Sequence, residues 1–172
     1  MSAMSLRACI GALIVACLAT ACGSGRAQPR PFPGGPTSTP SAPVASPAVA
    51  IPAILATALT LRGAPYRNGG SNPSGFDCSG FVQYVFAQHG RALPREVKDQ
   101  YRLGQEVGRQ DVRPGDLVFF QTVSPGASHV GIALAGDEFV HAPSSRGVVR
   151  VEKYTSQYWA ARWKGARRLV GP

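Results

Sequence analysis

The chain has 172 residues, is 44% hydrophobic and carries a formal net charge of +9. That length allows one modest domain with appendages. The charge suits nucleic acid or another polyanion, but the sequence holds no zinc-finger, helix-turn-helix or RNA-binding pattern, which sets nucleic acid aside and leaves a solvated basic surface or a polyanionic envelope.

At the amino terminus, Arg7 is the only charge before Arg26. Between them Ala8 to Ala21 form an apolar run, too short to cross a bilayer comfortably, with the layout of a secretory signal. The run ends Leu18-Ala19-Thr20-Ala21-Cys22-Gly23. Small residues ahead of a cysteine resemble the bacterial lipoprotein signal. The resemblance implies removal of residues 1–21, lipidation of Cys22 and a membrane anchor; an ordinary signal peptide cleaved nearby is the plainer alternative. Gly23, where Asp is often a retention signal, implies by the same resemblance the outer membrane, facing the periplasm. Residues 22–50 are dominated by Pro, Ala, Ser, Gly and Thr, with prolines at 29, 31, 33, 36, 40, 43 and 47. They cannot bury enough apolar surface to fold. In polyproline geometry they form a tether reaching on the order of 80 Å.

The folded domain is expected at 51–172. Pro52 suits a first helical turn, Ile54, Leu55, Ala58 and Leu59 share one face, and Gly63 ends the helix. A loop follows from Asn68 to Gly75. A second helix opens at about Cys78 with the stripe Cys78, Phe81, Val82, Val85 and Phe86, and stops at Gly90. Residues 95–103 make a weaker helix. Then come short strands at 117–121, 129–134, 138–141, 147–152 and 166–170, separated by Pro, Gly and Ser turns. Helices first and strands after predict an α+β fold, an antiparallel sheet packed on helices.

Cys9 and Cys17 leave with the signal peptide. If Cys22 carries lipid, Cys78 is the only free thiol, either a small buried hydrophobe or a reactive group. It opens a helix, where the partial positive charge of the amides is expected to lower a thiol pKa. His89, beside Gly90, reads as a polar residue near unpaired helix carbonyls. His129 opens one apolar strand and His141 closes the next. A hairpin turning through Ala135-Gly136-Asp137 puts both imidazoles on one face, diagonally adjacent; a Gly136-Asp137 turn puts them on opposite faces. On one face, one histidine can take the thiol proton while the other orients it.

The motifs Phe76-Asp77-Cys78-Ser79-Gly80-Phe81, Ser128-His129-Val130-Gly131-Ile132 and Phe139-Val140-His141-Ala142-Pro143 resemble the NlpC-type family of papain-like cell-wall peptidases. Pro65-Tyr66-Arg67-Asn68-Gly69-Gly70, Leu93-Pro94-Arg95 with Gln100, and Arg113-Pro114-Gly115-Asp116 running into Leu117-Val118-Phe119-Phe120 match it too. The likeness covers roughly residues 52–170, and the ordered set is far more specific than any one piece. It implies a papain-like domain of five to six strands. It implies a thiol peptidase that cuts amide bonds in peptidoglycan stem peptides as a monomer, with no cofactor or metal. Cys78 is then the nucleophile, His129 its base and His141 the residue that holds His129. The Cys78 amide and the Tyr66 hydroxyl would meet the oxyanion, although a rim aromatic is the plainer role for Tyr66. Asp77 and Ser79 would recognise a substrate amine, or simply cap the helix. Arg95 would meet a substrate carboxylate, or be a solvated cation. Asp116 reads as a turn residue. The rival readings are a zinc site on Cys78, His129 and His141, which no CxxC or HExxH pattern supports, a non-catalytic peptidoglycan-binding lipoprotein, and a related amide hydrolase or acyltransferase.

Overall fold

The computed structural model describes residues 51–169, so the signal peptide, Cys22 and the proline-rich tether read from the sequence lie outside the described residues. Helix α1 covers Ile51–Thr60 and buries Ile54 and Ala58. The expected loop before Cys78 contains a minimal ribbon, β1 (Ser71–Asn72) paired with β2 (Gly75–Phe76). Helix α2 spans Cys78–Ala87 and buries Phe81, Val82, Val85 and Phe86, the stripe expected of it apart from Cys78, which is half-buried. Asp77 starts it: the residue is extended, and its Oδ1 accepts the Gly80 N–H at 2.8 Å, satisfying one of the amides a helix start leaves open. Gly80 is required for a second reason. A Cβ there would lie 2.0 Å from the Gly70 carbonyl oxygen, so the helix start rests directly on the preceding loop. At the other end, His89 Nε2 lies 2.9 Å from Thr57 Oγ1. It therefore ties α2 to α1 instead of serving the helix carbonyls.

Helix α3 is a single turn, Val97–Gln100, shorter than the helix expected over 95–103. It carries Gln100, fully buried, whose Nε2 donates to the carbonyls of Ser79 and Pro94 at 3.1 and 2.9 Å. Six strands follow: β3 (Gln105–Val107), β4 (Leu117–Phe120), β5 (His129–Ala133), β6 (Glu138–His141), β7 (Arg150–Lys153) and β8 (Trp163–Arg168). Helix α4 (Gln157–Ala160) lies between β7 and β8. The strands form one antiparallel sheet in the order β3-β8-β4-β5-β6-β7. This is the α+β architecture expected, with three of the four α-helices ahead of the sheet and α4 inserted before its last strand.

Both faces of the sheet are covered. Leu117 and Phe119 of β4 join the helix-side core with Ile54, Phe81, Phe86 and Ile132. Val118 and Phe120 join a second cluster with Phe139, Tyr154, Trp159 and Ala166. A strand buried on both faces reads as a continuous apolar run and not as an alternation, which explains Leu-Val-Phe-Phe. Each fully buried Phe contributes about 1.5–3 kcal/mol. The second cluster was not expected from the sequence, because α4 is one turn long and its Trp159 is the only residue it buries.

Asp116 stands at the head of β4, only 2% exposed. Its Oδ2 accepts the Arg113 N–H at 2.8 Å, closing the turn. Arg168 of β8 grips both its oxygens, Nε to Oδ1 at 2.8 Å and Nη2 to Oδ2 at 2.7 Å. The residue is thus more than a turn former: it clamps two neighbouring strands. Asp116→Ala leaves Arg168 with only the Asp111 carbonyl to bond and is expected to lower stability by about 1–3 kcal/mol, read as a drop in the urea midpoint at constant m-value.

Candidate active site

Cys78 is half-buried at the first position of α2, on the wall of a pocket of about 500 Å³ that Tyr66, Asn68, Arg95, Val123 and Ser128 also line. The Val130 backbone amide favours the thiolate form of Cys78, which puts the thiol close to the start of β5. Asp77 is heavily engaged. Besides capping α2 it accepts the Gly69 N–H at 3.0 Å and pairs with Arg95. Arg95 Nη1 also donates to Ser79 Oγ at 2.7 Å. Arg95 is therefore neither a free cation nor simply solvated, and Asp77, Ser79 and Arg95 form one linked group on the pocket wall. A larger hollow of about 680 Å³ lies behind the 121–125 loop, against Arg162, Trp163 and Lys164, and holds none of the candidate residues.

The two histidines meet. Ile132 pairs with Val140 and Ala133 with Phe139, and the Leu134 N–H donates to the Glu138 carbonyl at 2.9 Å. The turn is thus Ala135-Gly136-Asp137, the longer of the two readings, and both rings point to the α4 side of the sheet. His129 Nε2 lies 2.7 Å from His141 Nδ1. Trp159 stacks on His129, with ring centroids 5.2 Å apart and planes 22° from parallel. Gly131, between the two rings on the same face, has no room for a side chain: a Cβ would lie 2.6 Å from the Phe139 ring and 3.0 Å from His141 Cβ. His129 Nε2 is committed to His141, which leaves Nδ1 as its other ring nitrogen. Among the described residues no group of three or more His, Cys, Asp or Glu is arranged to hold a metal ion.

The profile of the NlpC/P60 family matches residues 63–168. The chain belongs to the NlpC/P60 family. It is 44% identical over 110 residues to murein DD-endopeptidase MepS/murein LD-carboxypeptidase of Escherichia coli K12, an alignment covering 63% of this chain and 57% of that protein. It is 36% identical over 121 residues to the gamma-DL-glutamyl hydrolase of Bacillus subtilis, covering 68% and 29%. The chain thus spans little more than half of the first relative and less of the second. Among solved structures, the NlpC/p60 domain of the peptidoglycan hydrolase SagA superposes with a TM-score of 0.62 at 37% identity, over 70% of this chain and 99% of that one. The peptidoglycan hydrolase RipB of Mycobacterium tuberculosis gives 0.64 at 31%, over 81% and 74%.

One residue in this NlpC/P60 domain escaped the sequence reading. Glu152 of β7 accepts the Trp159 indole N–H at 2.5 Å and stands 3.6 Å from His141 Nε2. A Glu in a strand carries no local signal. Only the β6–β7 pairing, with Val140 opposite Val151 and His141 opposite Arg150, brings it near.

The protonation state of the family's cysteine position also differs from expectation. Burial, and then the adjacent Asp77 carboxylate, push the Cys78 thiol up to about 11, outweighing the amides of Val130, Ser79 and Cys78 that favour the thiolate. Burial, and then His141, hold His129 well below the ordinary histidine range. Burial lowers His141 too. Both shifts favour a neutral thiol and a neutral imidazole at rest. Alkylation of Cys78 by iodoacetamide is expected to accelerate from neutral pH toward about pH 11. A rate already level at neutral pH would mean a preformed thiolate–imidazolium pair.

Proposed function

We propose that the protein is an endopeptidase of peptidoglycan stem peptides that works through Cys78, His129 and His141. The observation that carries this reading is the 2.7 Å contact between His129 and His141 on the hairpin whose first residues lie near Cys78. The names of the relatives support the substrate, since they act on murein and on γ-glutamyl bonds.

The mechanism follows from the neutral resting state. The substrate carbonyl enters the pocket over Cys78. The thiol proton passes to His129 Nδ1 as sulfur attacks, so the thiolate forms only while the new C–S bond is forming. His141 Nδ1 accepts the His129 Nε2–H and steadies the imidazolium. The oxyanion meets the Cys78 N–H, which lies at a helix start where amides have no partner of their own, and the Tyr66 hydroxyl. Burial, and then Cys78 and Asp77, raise the Tyr66 phenol, so it remains a donor throughout the working pH range. His129 then returns the proton to the leaving amine, and water, deprotonated by the same nitrogen, releases the acyl group. The Asp77–Ser79–Arg95 group lines the mouth, where the carboxylates and amines of a stem peptide would be sorted.

The sequence amino-terminal to residue 51 supports an anchored enzyme: Cys22 lipidated, residues 1–21 removed, and the domain tethered to the outer membrane facing the periplasm. Among the described residues no helix is long and apolar enough to cross a membrane. Cys22→Ala is expected to move the protein out of the membrane fraction or stall it as a precursor. An unmodified mature amino terminus with unchanged membrane partition would refute the anchor.

Turnover of purified muropeptides, followed by mass analysis, tests the chemistry. Cys78→Ser is expected to reduce it to background. His129→Ala removes both base and acid and should cost about a hundred- to ten-thousand-fold in kcat. His141→Ala should retain more activity, and His141→Asn should recover part of the loss, because an amide oxygen still accepts the imidazole N–H. Near-native turnover by folded Cys78→Ser would end the assignment.

A further inference from the structure

Glu152 stands behind the histidine pair and has no part in the mechanism so far. Its Oε2 holds the Trp159 indole at 2.5 Å and faces His141 Nε2 at 3.6 Å, while its Oε1 faces Arg150 Nε at 3.1 Å. His141 is fully buried, and its Nε2 finds no hydrogen-bond partner among the described residues. Burial without a partner costs a polar nitrogen dearly, and the group facing this one is a carboxylate.

A neutral imidazole has one N–H and one lone pair. A lone pair on His141 Nε2 would point at the negative oxygen of Glu152 and be repelled. The proton therefore sits on Nε2 of His141, and its Nδ1 carries the lone pair. The 2.7 Å contact with His129 Nε2 then needs a donor on the His129 side. His129 accordingly carries its proton on Nε2, and its Nδ1 is left with a lone pair. The carboxylate thus dictates, through two rings, which nitrogen is basic.

We propose that Glu152 is a positioning residue for the reaction: through His141 it fixes the tautomer in which His129 Nδ1 is the base, and its charge steadies the imidazolium that forms when the thiol proton is taken. The inference rests on the triad reading above. The same oxygen anchors Trp159, which stacks on His129, so the carboxylate also fixes the plane of that ring.

The surroundings agree. The Glu152 carboxyl is held down at about 2, first by its interaction with His141 and then by Trp159 and Arg150, so it is ionised whenever the enzyme works. The charged and titratable groups acting on the pair are Glu152 and Arg150 from β7 and the two histidines themselves. Phe120 of β4, Phe139 of β6 and Trp159 of α4 pack on the rings. Glu152 raises the proton affinity of both rings, whereas Arg150 lowers that of His141.

The test has two arms. In the first, Glu152→Gln removes the charge with little change of shape. It is expected to lower kcat about ten- to a hundred-fold, the usual cost of losing the group that orients a functional imidazole. KM should stay within about twofold. Because the imidazolium loses a stabilising charge, the acid limb of the kcat/KM profile should move to lower pH. Glu152→Asp should restore part of both effects, which a purely structural role would not require. In the second arm, nitrogen-15 NMR of the histidine rings in the unmutated full chain should show His129 protonated at Nε2 and His141 at Nε2. Protonation of His141 at Nδ1, or a Glu152→Gln enzyme with unchanged kcat and acid limb, overturns the proposal. If Glu152→Gln fails to fold, Glu152→Asp and the ring spectra decide it. The tautomer arm needs no turnover. A failed triad appears as an active Cys78→Ser protein, and a failed role for Glu152 as the wrong ring protonated.

Discussion

The register of the β5–β6 hairpin governs what the site can do. Three residues, Ala135-Gly136-Asp137, separate Leu134 from Glu138, and Gly136 takes a φ of 71°, which an ordinary side chain disfavours. Shorten that turn by one residue and every side chain of β6 changes face. His141 would then point into the helix-side core, and His129 would face Trp159 alone. Gly131 reinforces the constraint, because the absence of a side chain there lets the two rings meet diagonally across it.

Cys78 is held by a separate arrangement that comes near the hairpin at its first residues. Asp77 caps α2, receives the Gly69 amide and pairs with Arg95; Gln100 holds the Ser79 carbonyl; Gly80 sits against the Gly70 carbonyl. The Arg95–Asp77 pair is partly exposed, at 34% and 13%, so its worth is geometric more than energetic. The cost of this wiring is electrostatic: the carboxylate that starts the helix sits beside the thiol and opposes its ionisation. In the proposed reaction the base acts during attack, and such a base needs a fixed tautomer.

Where the chain has long apolar periodicity, its structure is legible in its sequence. Helix α2, Cys78 apart, buries the stripe its spacing predicts, and β6 spans Glu138–His141 as expected. The short elements are not legible. β3 exposes two of its three residues and shows no alternation, and α4 is one turn with a single buried side chain. β7 starts at Arg150, later than expected, because Gly147 turns at a φ of 73° and Val148 is exposed. At the site, local sequence brought forward Cys78, His129 and His141. It could not show that Arg95 closes on Asp77 from eighteen residues away, or that Glu152 stands behind His141, since both depend on tertiary pairing. At Cys78 helix polarity favours the thiolate, whereas burial and the neighbouring carboxylate oppose it and outweigh it, and neither is legible in local sequence.

The loop between β4 and β5 is tied mainly to itself. Ser128 Oγ accepts the Thr122 N–H at 2.8 Å, Gln121 Oε1 accepts the Gly126 N–H at 3.3 Å, and Ser128 N–H returns to the Phe120 carbonyl at 3.0 Å. Its tip residue Val123 is 82% exposed and borders both the thiol pocket and the hollow behind the loop. A segment that borders the pocket and gives the core little beyond the partly buried Ala127 behaves as an interchangeable cassette. Insertions and replacements there are free to redraw which peptide is admitted without disturbing the scaffold, and drift in this loop gives one catalytic frame a route to new specificities.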